Sequence, residues 1–164
     1  MMTVTPPNVR IIHLIEVPET VPLLAQWFVE EWAPYYGPDG PGAAEDDLLV
    51  CSNRDEIPIA LVAVDAESNV VGTAALKSES VGSEPGQGPW LAAFLVGRKH
   101  RGKGVGTALV EAIEKEACRL GFQTIYTSTD AAEGIYRRRG WQALNQVSSL
   151  RGPITVYRKD LDRR

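Results

Sequence analysis

Histidine, cysteine and long apolar runs are all scarce in this 164-residue chain. It has two histidines, His13 and His100, and two cysteines, Cys51 and Cys118, without metal-ligand spacing. Neither a metal site nor a disulfide scaffold is expected. No stretch approaches the roughly 18 apolar residues of a membrane helix, so no membrane partner is expected. The opening "MMTVTPPNVR" lacks the apolar centre of a signal peptide, and the expectation is a cytoplasmic protein. With 44% hydrophobic and 23% charged residues the chain is not a disordered one, and its length suits one domain over residues 1–164.

The net charge of −4 argues against a nucleic-acid partner, but the charge is uneven. Arg98, Lys99, Arg101 and Lys103 fall within six residues, so a total of −4 that includes these four leaves −8 elsewhere. A basic island in an acidic chain points to one anionic ligand rather than to general basicity.

"VRIIHLIEV" (residues 9–17) reads as a strand, and Pro18, Glu19 and Thr20 open a helix. That helix carries Val21, Leu23, Leu24, Trp27, Phe28 and Trp32 at spacings of three and four. Pro34 and "GPDGPG" stop it, and a short acidic helix follows in "AAEDDLLVCSN". "IPIALVAVD" and "VVGTAALKSES" read as an antiparallel hairpin, and "WLAAFLV" (residues 90–96) as a buried strand. A helix over residues 104–120 has an apolar stripe of Val105, Ala108, Leu109, Ala112, Ile113, Ala117 and Leu120. Glu111 and Lys115 pair on its other face, and Gly121 ends it. "FQTIYTST" is a strand, "DAAEGIYRRR" a short helix closed by Gly140, and "WQALNQV" and "ITVYRKDL" a final strand pair.

The glycine-rich stretch "LVGRKHRGKGVGTALVEAI" (residues 95–113) joins the buried strand to the long helix. Glycines let backbone approach a ligand, and the amides opening a helix attract anions. Residues 97–103 spell G-x-x-x-x-G-K, yet Gly104 stands where a nucleotide-triphosphate loop needs Ser or Thr for magnesium. A dinucleotide fingerprint needs a third glycine and finds Thr107 or Leu109, and the preceding hairpin is the wrong setting. What remains is R-x-x-G-x-G: Arg101, Gly104 and Gly106.

With that motif between a buried strand and an amphipathic helix, the chain resembles the GNAT superfamily of acyl-CoA-dependent N-acetyltransferases. "FLVGRKHRGKGVGTALV" looks like its signature strand–loop–helix, and "TDAAEGIYRRRGW" is similar to its later helix, in which a Tyr precedes Gly and an aromatic. The resemblance covers residues 9–161 in element order and is specific over residues 90–141. It implies a single α/β (α+β) domain of GNAT type, with a central mixed, mostly antiparallel sheet flanked by helices. It also implies acetyl-CoA as co-substrate and no metal. The pyrophosphate is then expected on the loop Arg101, Gly102, Lys103, Gly104, Val105, Gly106 and Thr107, and the pantetheine arm along Phe94, Leu95 and Val96. Arg98, Lys99 and Lys103 are within reach of the outer phosphates. His100 reads as a polar loop residue and Cys118 as a small core residue.

In the family an amine attacks the thioester directly, so the site must orient two substrates, stabilise the oxyanion, take up the amine's proton and protonate the thiolate. Backbone amides of residues 94–96 suit the oxyanion. Tyr136 matches the family's tyrosine near the sulfur, and a phenol is protonated at neutral pH. Some members place a Glu on the strand before the loop; "WLAAFLV" has no acid. Glu79, Glu30 and Glu31 are the substitutes, with Glu79 the leading catalytic candidate beside Tyr136.

The expected reaction is acetyl transfer from acetyl-CoA to a primary amine: a small amine, a peptide N-terminus or a lysine. The acids Glu30, Glu31, Glu45, Asp46 and Asp47 and the aromatics Trp27, Phe28, Trp32, Tyr35 and Tyr36 lie in the region that covers the acceptor in this family. They favour a cationic acceptor, with aminoglycoside, polyamine, peptide N-terminus and lysine left open. Helical spacing equally places Trp27, Phe28 and Trp32 in a core. A homodimer is admissible. The alternatives are a non-catalytic acyl-CoA-binding sensor on the same fold and, less compatible with Gly104, a nucleotide-triphosphate binder.

Overall fold

A computed structural model describes residues 8–80, 82–84, 86–149 and 152–161. Seven strands form one sheet: β1 (Arg10–His13), β2 (Ile59–Val64), β3 (Val70–Lys77), β4 (Trp90–Val96), β5 (Thr124–Thr129), β6 (Gln142–Ser149) and β7 (Gly152–Asp160). Their order is β1-β2-β3-β4-β5-β7-β6. Every contact is antiparallel except β4–β5, which is parallel. The helices are α1 (Val21–Glu31), α2 (Ala33–Tyr36), α3 (Ala44–Val50), α4 (Val105–Arg119) and α5 (Glu133–Arg138). The result is a single α/β domain of the expected class, an open and mostly antiparallel sheet with helices on both faces.

The central run IALVAV is buried on both sides because its alternate residues serve different cores. Ile59, Leu61 and Ala63 pack with Val105, Leu109, Val110, Ile113 and Ala117 of α4. Ala60, Val62 and Val64 pack with Leu24, Ala25 and Phe28 of α1 and Leu48 of α3. The two helical layers therefore clamp one apolar strand.

Two local expectations change. The strand expected over residues 9–17 is limited to Arg10–His13, and Leu14–Glu16 and Pro18–Thr20 form 3₁₀ turns. Leu14 leaves the ladder to bury itself completely in the α1–α3 core, and Pro18 has no N–H to give a ladder. Pro34 does not simply stop a helix: it stands in the first turn of α2, where a missing N–H costs nothing. The Glu111–Lys115 pair is present at 3.0 Å, and Gly121 follows α4 at φ 90°.

The α4 layer is fastened by a charge that the amphipathic pattern concealed. Glu114 is only 7% exposed. It accepts Arg139 Nε and Nη2 at 2.9 Å each, Lys159 Nζ at 2.8 Å and Trp141 Nε1 at 3.0 Å. Burial pushes its pKa up, but the hydrogen bonds from Arg139, Lys159 and Trp141 outweigh this and hold it below the usual value. Glu116 is held low in the same way, against burial, by Arg119 and His13. Among the described residues no helix is long and apolar enough to cross a membrane, and no group of His, Cys, Asp and Glu could hold a metal.

Because the folded pKa of Glu114 is depressed, its contribution to stability is complete above its unfolded value and is lost as pH falls through the folded one. Glu114→Gln takes the counter-charge from Lys159 and leaves Arg139 only Glu111, at 3.4 Å, and is expected to destabilise by about 3 kcal/mol at neutral pH in urea melts. Between about pH 5 and 3 the variant should lose stability less steeply than the wild type. Equal melts at neutral pH would show the network to be a solvated surface cluster.

Candidate active site

The sheet is broken at its centre. β4 and β5 pair only at Trp90–Tyr126 and Leu91–Thr127. Beyond Leu91, and among the described residues, positions 92–96 have no ladder partner on the β5 side. The cause lies on the opposite edge of β4. The register with β3 jumps from Thr73↔Leu95 to Ala75↔Ala92, so Ala74 alone faces two residues of β4. Ala93, within this bulge, has φ 52°, in the left-handed region that alanine rarely enters. The bulge bends β4 away while β5 stays paired to β7 along its whole length.

The parted strands leave backbone groups facing a gap. Gly97 N–H donates to Val71 O at 2.9 Å on the β3 side. By alternation, the N–H and C=O of Val96 and Phe94 face the split. Their side chains pack toward the α4 core, whereas Leu95 is buried on the α1–α3 side.

At the open end of the split lies the glycine loop. Arg98–His100 makes a 3₁₀ turn, Gly102 and Gly104 adopt φ 76° and 87°, and Gly104 caps α4. Among the described residues no side chain caps the helix. The first intrahelical bond is Ala108 N–H to Gly104 O, so the Val105, Gly106 and Thr107 amides open a 15-residue helix with its dipole behind them. Gly106 permits the close approach of strand and helix: a Cβ there would lie 3.1 Å from Phe94 Cζ and 3.0 Å from Ile135 Cδ1.

At the closed end lies Tyr136. It is 1% exposed, stacked on Tyr157 at 5.9 Å and edge-on to Trp141 at 5.1 Å and Phe94 at 6.3 Å. Its hydroxyl meets the Thr127 hydroxyl, which donates to Leu91 O at 2.8 Å. Thr127 therefore ties β5 to β4 at their last paired position and seats the phenol there. Burial raises the Tyr136 pKa above its ordinary value near 10, and Glu114 adds to this.

The acidic candidates are divided between two cavities on the α1–α3 side. Glu30 and Glu31 line one of about 290 Å³ with Trp27, the strand end at Leu95–Val96 and the basic loop residues Arg98, Lys99 and Arg101. Glu79 lines another, of about 170 Å³, with Asp47, Cys51 and Lys77. The guanidinium of Arg101 turns toward the first helix: Nε donates to Val96 O at 2.9 Å and Nη2 meets Glu31 at 3.1 Å. Lys103 is exposed on the loop. Phe28 is core, Trp27 and Trp32 are half-buried, and Tyr36 donates to Asp47 at 2.7 Å. Cys51 is buried, which raises its thiol pKa, and Cys118 is half-buried on α4. Sequence reasoning missed Thr127 and Glu114. Both sit in patterns that read as ordinary strand and helix surface.

An uncapped helix N-terminus beyond a strand edge with unused hydrogen bonds is what a phosphate-bearing, amide-containing chain such as coenzyme A requires. The profile of the acetyltransferase (GNAT) family matches residues 21–141, and the chain belongs to that family. It is an acetyl-CoA-dependent N-acetyltransferase, with acetyl-CoA as co-substrate. Among solved structures it is similar to an aminoglycoside 6'-N-acetyltransferase complexed with coenzyme A (TM-score 0.74, 19% identity, covering 94% of this chain and 98% of that one). The aminoglycoside 6'-N-acetyltransferase of Enterococcus faecium gives 0.72 at 20% identity, with the same coverage. The yncA protein of Salmonella typhimurium, solved with acetyl-CoA, gives 0.73 at 18% identity, covering 96% of each chain. No curated protein matches the sequence.

Gly104 tests the loop. A valine at φ 87° meets left-handed strain of about 1–2 kcal/mol and carries its methyls beside the helix amides. Gly104→Val is expected to weaken CoA at least about tenfold in calorimetric titration while circular dichroism shows the native fold. Unchanged affinity in the folded variant would remove the loop from the binding site.

Proposed function

We propose that this chain transfers the acetyl group of acetyl-CoA to a cationic primary amine, by direct attack with both substrates bound. The observation that carries the reading is the buried Tyr136 phenol seated on Thr127 where β4 and β5 part. Burial keeps the phenol neutral throughout the physiological range, so it can donate its proton to the departing thiolate. In this reading the loop from Arg101 to Thr107 receives the pyrophosphate on its amides. The split edge at Phe94 and Val96 pairs with the pantetheine arm, and the amides of residues 94–96 polarise the thioester oxygen. Glu79 takes the amine's proton through water. Glu30, Asp47 and Glu79 concentrate cations on the α1–α3 side, while Glu31 is paired with Arg101. Residues 1–164 act as one catalytic domain.

Tyr136→Phe is expected to lower turnover about 100-fold with CoA affinity nearly unchanged. Wild-type turnover in the variant would make the tyrosine structural. If no amine releases thiol from acetyl-CoA even with the wild type, the acyl-CoA sensor becomes the better reading.

The acceptor class is tested by thiol release with a polyamine, an aminoglycoside, a lysine peptide and a peptide N-terminus beside acidic amino acids. The aminoglycoside is included because two neighbours in fold are named for that substrate. Cations should be preferred, and Glu79→Gln should depress turnover at neutral pH and recover as pH approaches the amine's own pKa of about 10. Preference for an acidic acceptor would overturn the reading.

A further inference from the structure

Among the described residues, the side chain of Arg101 is the basic group of the glycine loop with a defined seat, and that seat is not where the amides opening α4 lie. Its Nε donates to Val96 O at 2.9 Å, a carbonyl on the open edge of β4. Its Nη2 meets Glu31, the last residue of α1, at 3.1 Å. Arg98 and Lys99, in the turn just before it, are exposed. The same junction is closed from α1 by Trp27, whose ring lies 2.9 Å from where a Gly97 Cβ would stand, so the loop's first residue is pressed against the helix.

We propose that Arg101 is a brace rather than a phosphate ligand, and that Glu31 is the positioning residue that holds it. This deepens the cofactor assignment above and rests on it. A guanidinium offers a planar fork, and here one prong takes the strand carbonyl while the other takes a carboxylate from a different layer. The turn at residues 98–100 is thereby closed across its base, from Arg101 back to Val96. Gly102 and Gly104 can then present amides in a fixed direction, although their left-handed backbones carry no side chains to anchor them. Because Glu31 cancels the guanidinium's charge, Arg101 contributes geometry to cofactor binding and little long-range attraction. Arg98, Lys99 and Lys103 supply the attraction. The pair is half-exposed, 46% and 34% for the two side chains, so its effect is one of aim and not of bulk stability.

A phosphate ligand and a brace predict opposite results when the partner is removed. If Glu31 merely competed for Arg101, Glu31→Gln would free the guanidinium and tighten CoA. The brace predicts CoA binding weakened about threefold, the scale of one partly exposed ion pair. The double variant Glu31→Gln/Arg101→Gln keeps the net charge of the pair. It should weaken CoA about tenfold, as for loss of a hydrogen bond from a charged donor, with a dependence of affinity on salt equal to that of the wild type. Thermal midpoints of the CoA-free proteins should match, which a general structural defect would not allow. Tighter or unchanged binding in Glu31→Gln, a flatter salt dependence in the double variant, or lowered midpoints would each overturn the proposal. Failure of the wild type to bind CoA at all would instead strike the cofactor assignment beneath it.

Discussion

The constraint on which the rest of this structure depends is that a backbone polar group must find a partner. A seven-stranded sheet normally meets it by pairing every interior edge. Here the sheet opens at its middle, because a bulge at Ala93 turns β4 aside while β5 remains bound to β7. On the proposed assignment, the N–H groups of Phe94 and Val96 and the C=O of Phe94 receive an extended, amide-bearing molecule, the Val96 C=O being taken by Arg101. On the same assignment the amides at the start of α4 receive its phosphates, which makes the proposed binding site and the sheet defect one feature seen from two sides.

An opening of this kind must be held at both ends. At the closed end Thr127 bridges to Leu91 O and receives Tyr136, whose ring is packed among Phe94, Trp141 and Tyr157. Glu114 fixes that neighbourhood by gathering Arg139, Trp141 and Lys159 from the turn after α5, the residue preceding β6 and β7. The same helix whose uncapped N-terminus is proposed for the phosphates thus carries, ten residues after Gly104, the carboxylate that fastens the residues around the tyrosine. At the open end Arg101 ties the loop to β4 and to α1.

Legibility in the sequence followed the range of each interaction. The glycine loop could be read because its information is local: Arg101, Gly104 and Gly106 lie within six residues, between a buried strand and an amphipathic stripe. The element order and Tyr136 followed from periodicity and from the family resemblance. The bulge could not be read, because Ala93 sits in an alanine pair that gives no sign of a left-handed backbone. Glu114 could not, because one acid beside an apolar stripe looks solvated until residues 25 and 45 positions away arrive. Nor could the pose of Arg101, whose partner Glu31 is 70 residues distant. Glu30 and Glu31 lie on the first helix, and Glu79 just beyond β3, as the pattern suggested, but the pattern could not say that these acids would divide between two cavities.

The two-residue contact between β4 and β5 also bears on how the molecule opens. Among the described residues, the strands β1 to β3 and β5 to β7 form two ladders joined through β4 by two pairs, so cooperativity between them leans on the packing of α4 and on the Glu114 and Thr127 side-chain hydrogen bonds more than on the backbone ladder. Amide hydrogen exchange then has two sheet-sized units to resolve. In the proposed pose, a pantetheine chain in the split acts as a short surrogate strand, supplying the missing rungs. On that assignment, ligand binding merges two opening units into one, and its stabilisation is felt as cooperativity across the sheet as well as affinity at the site.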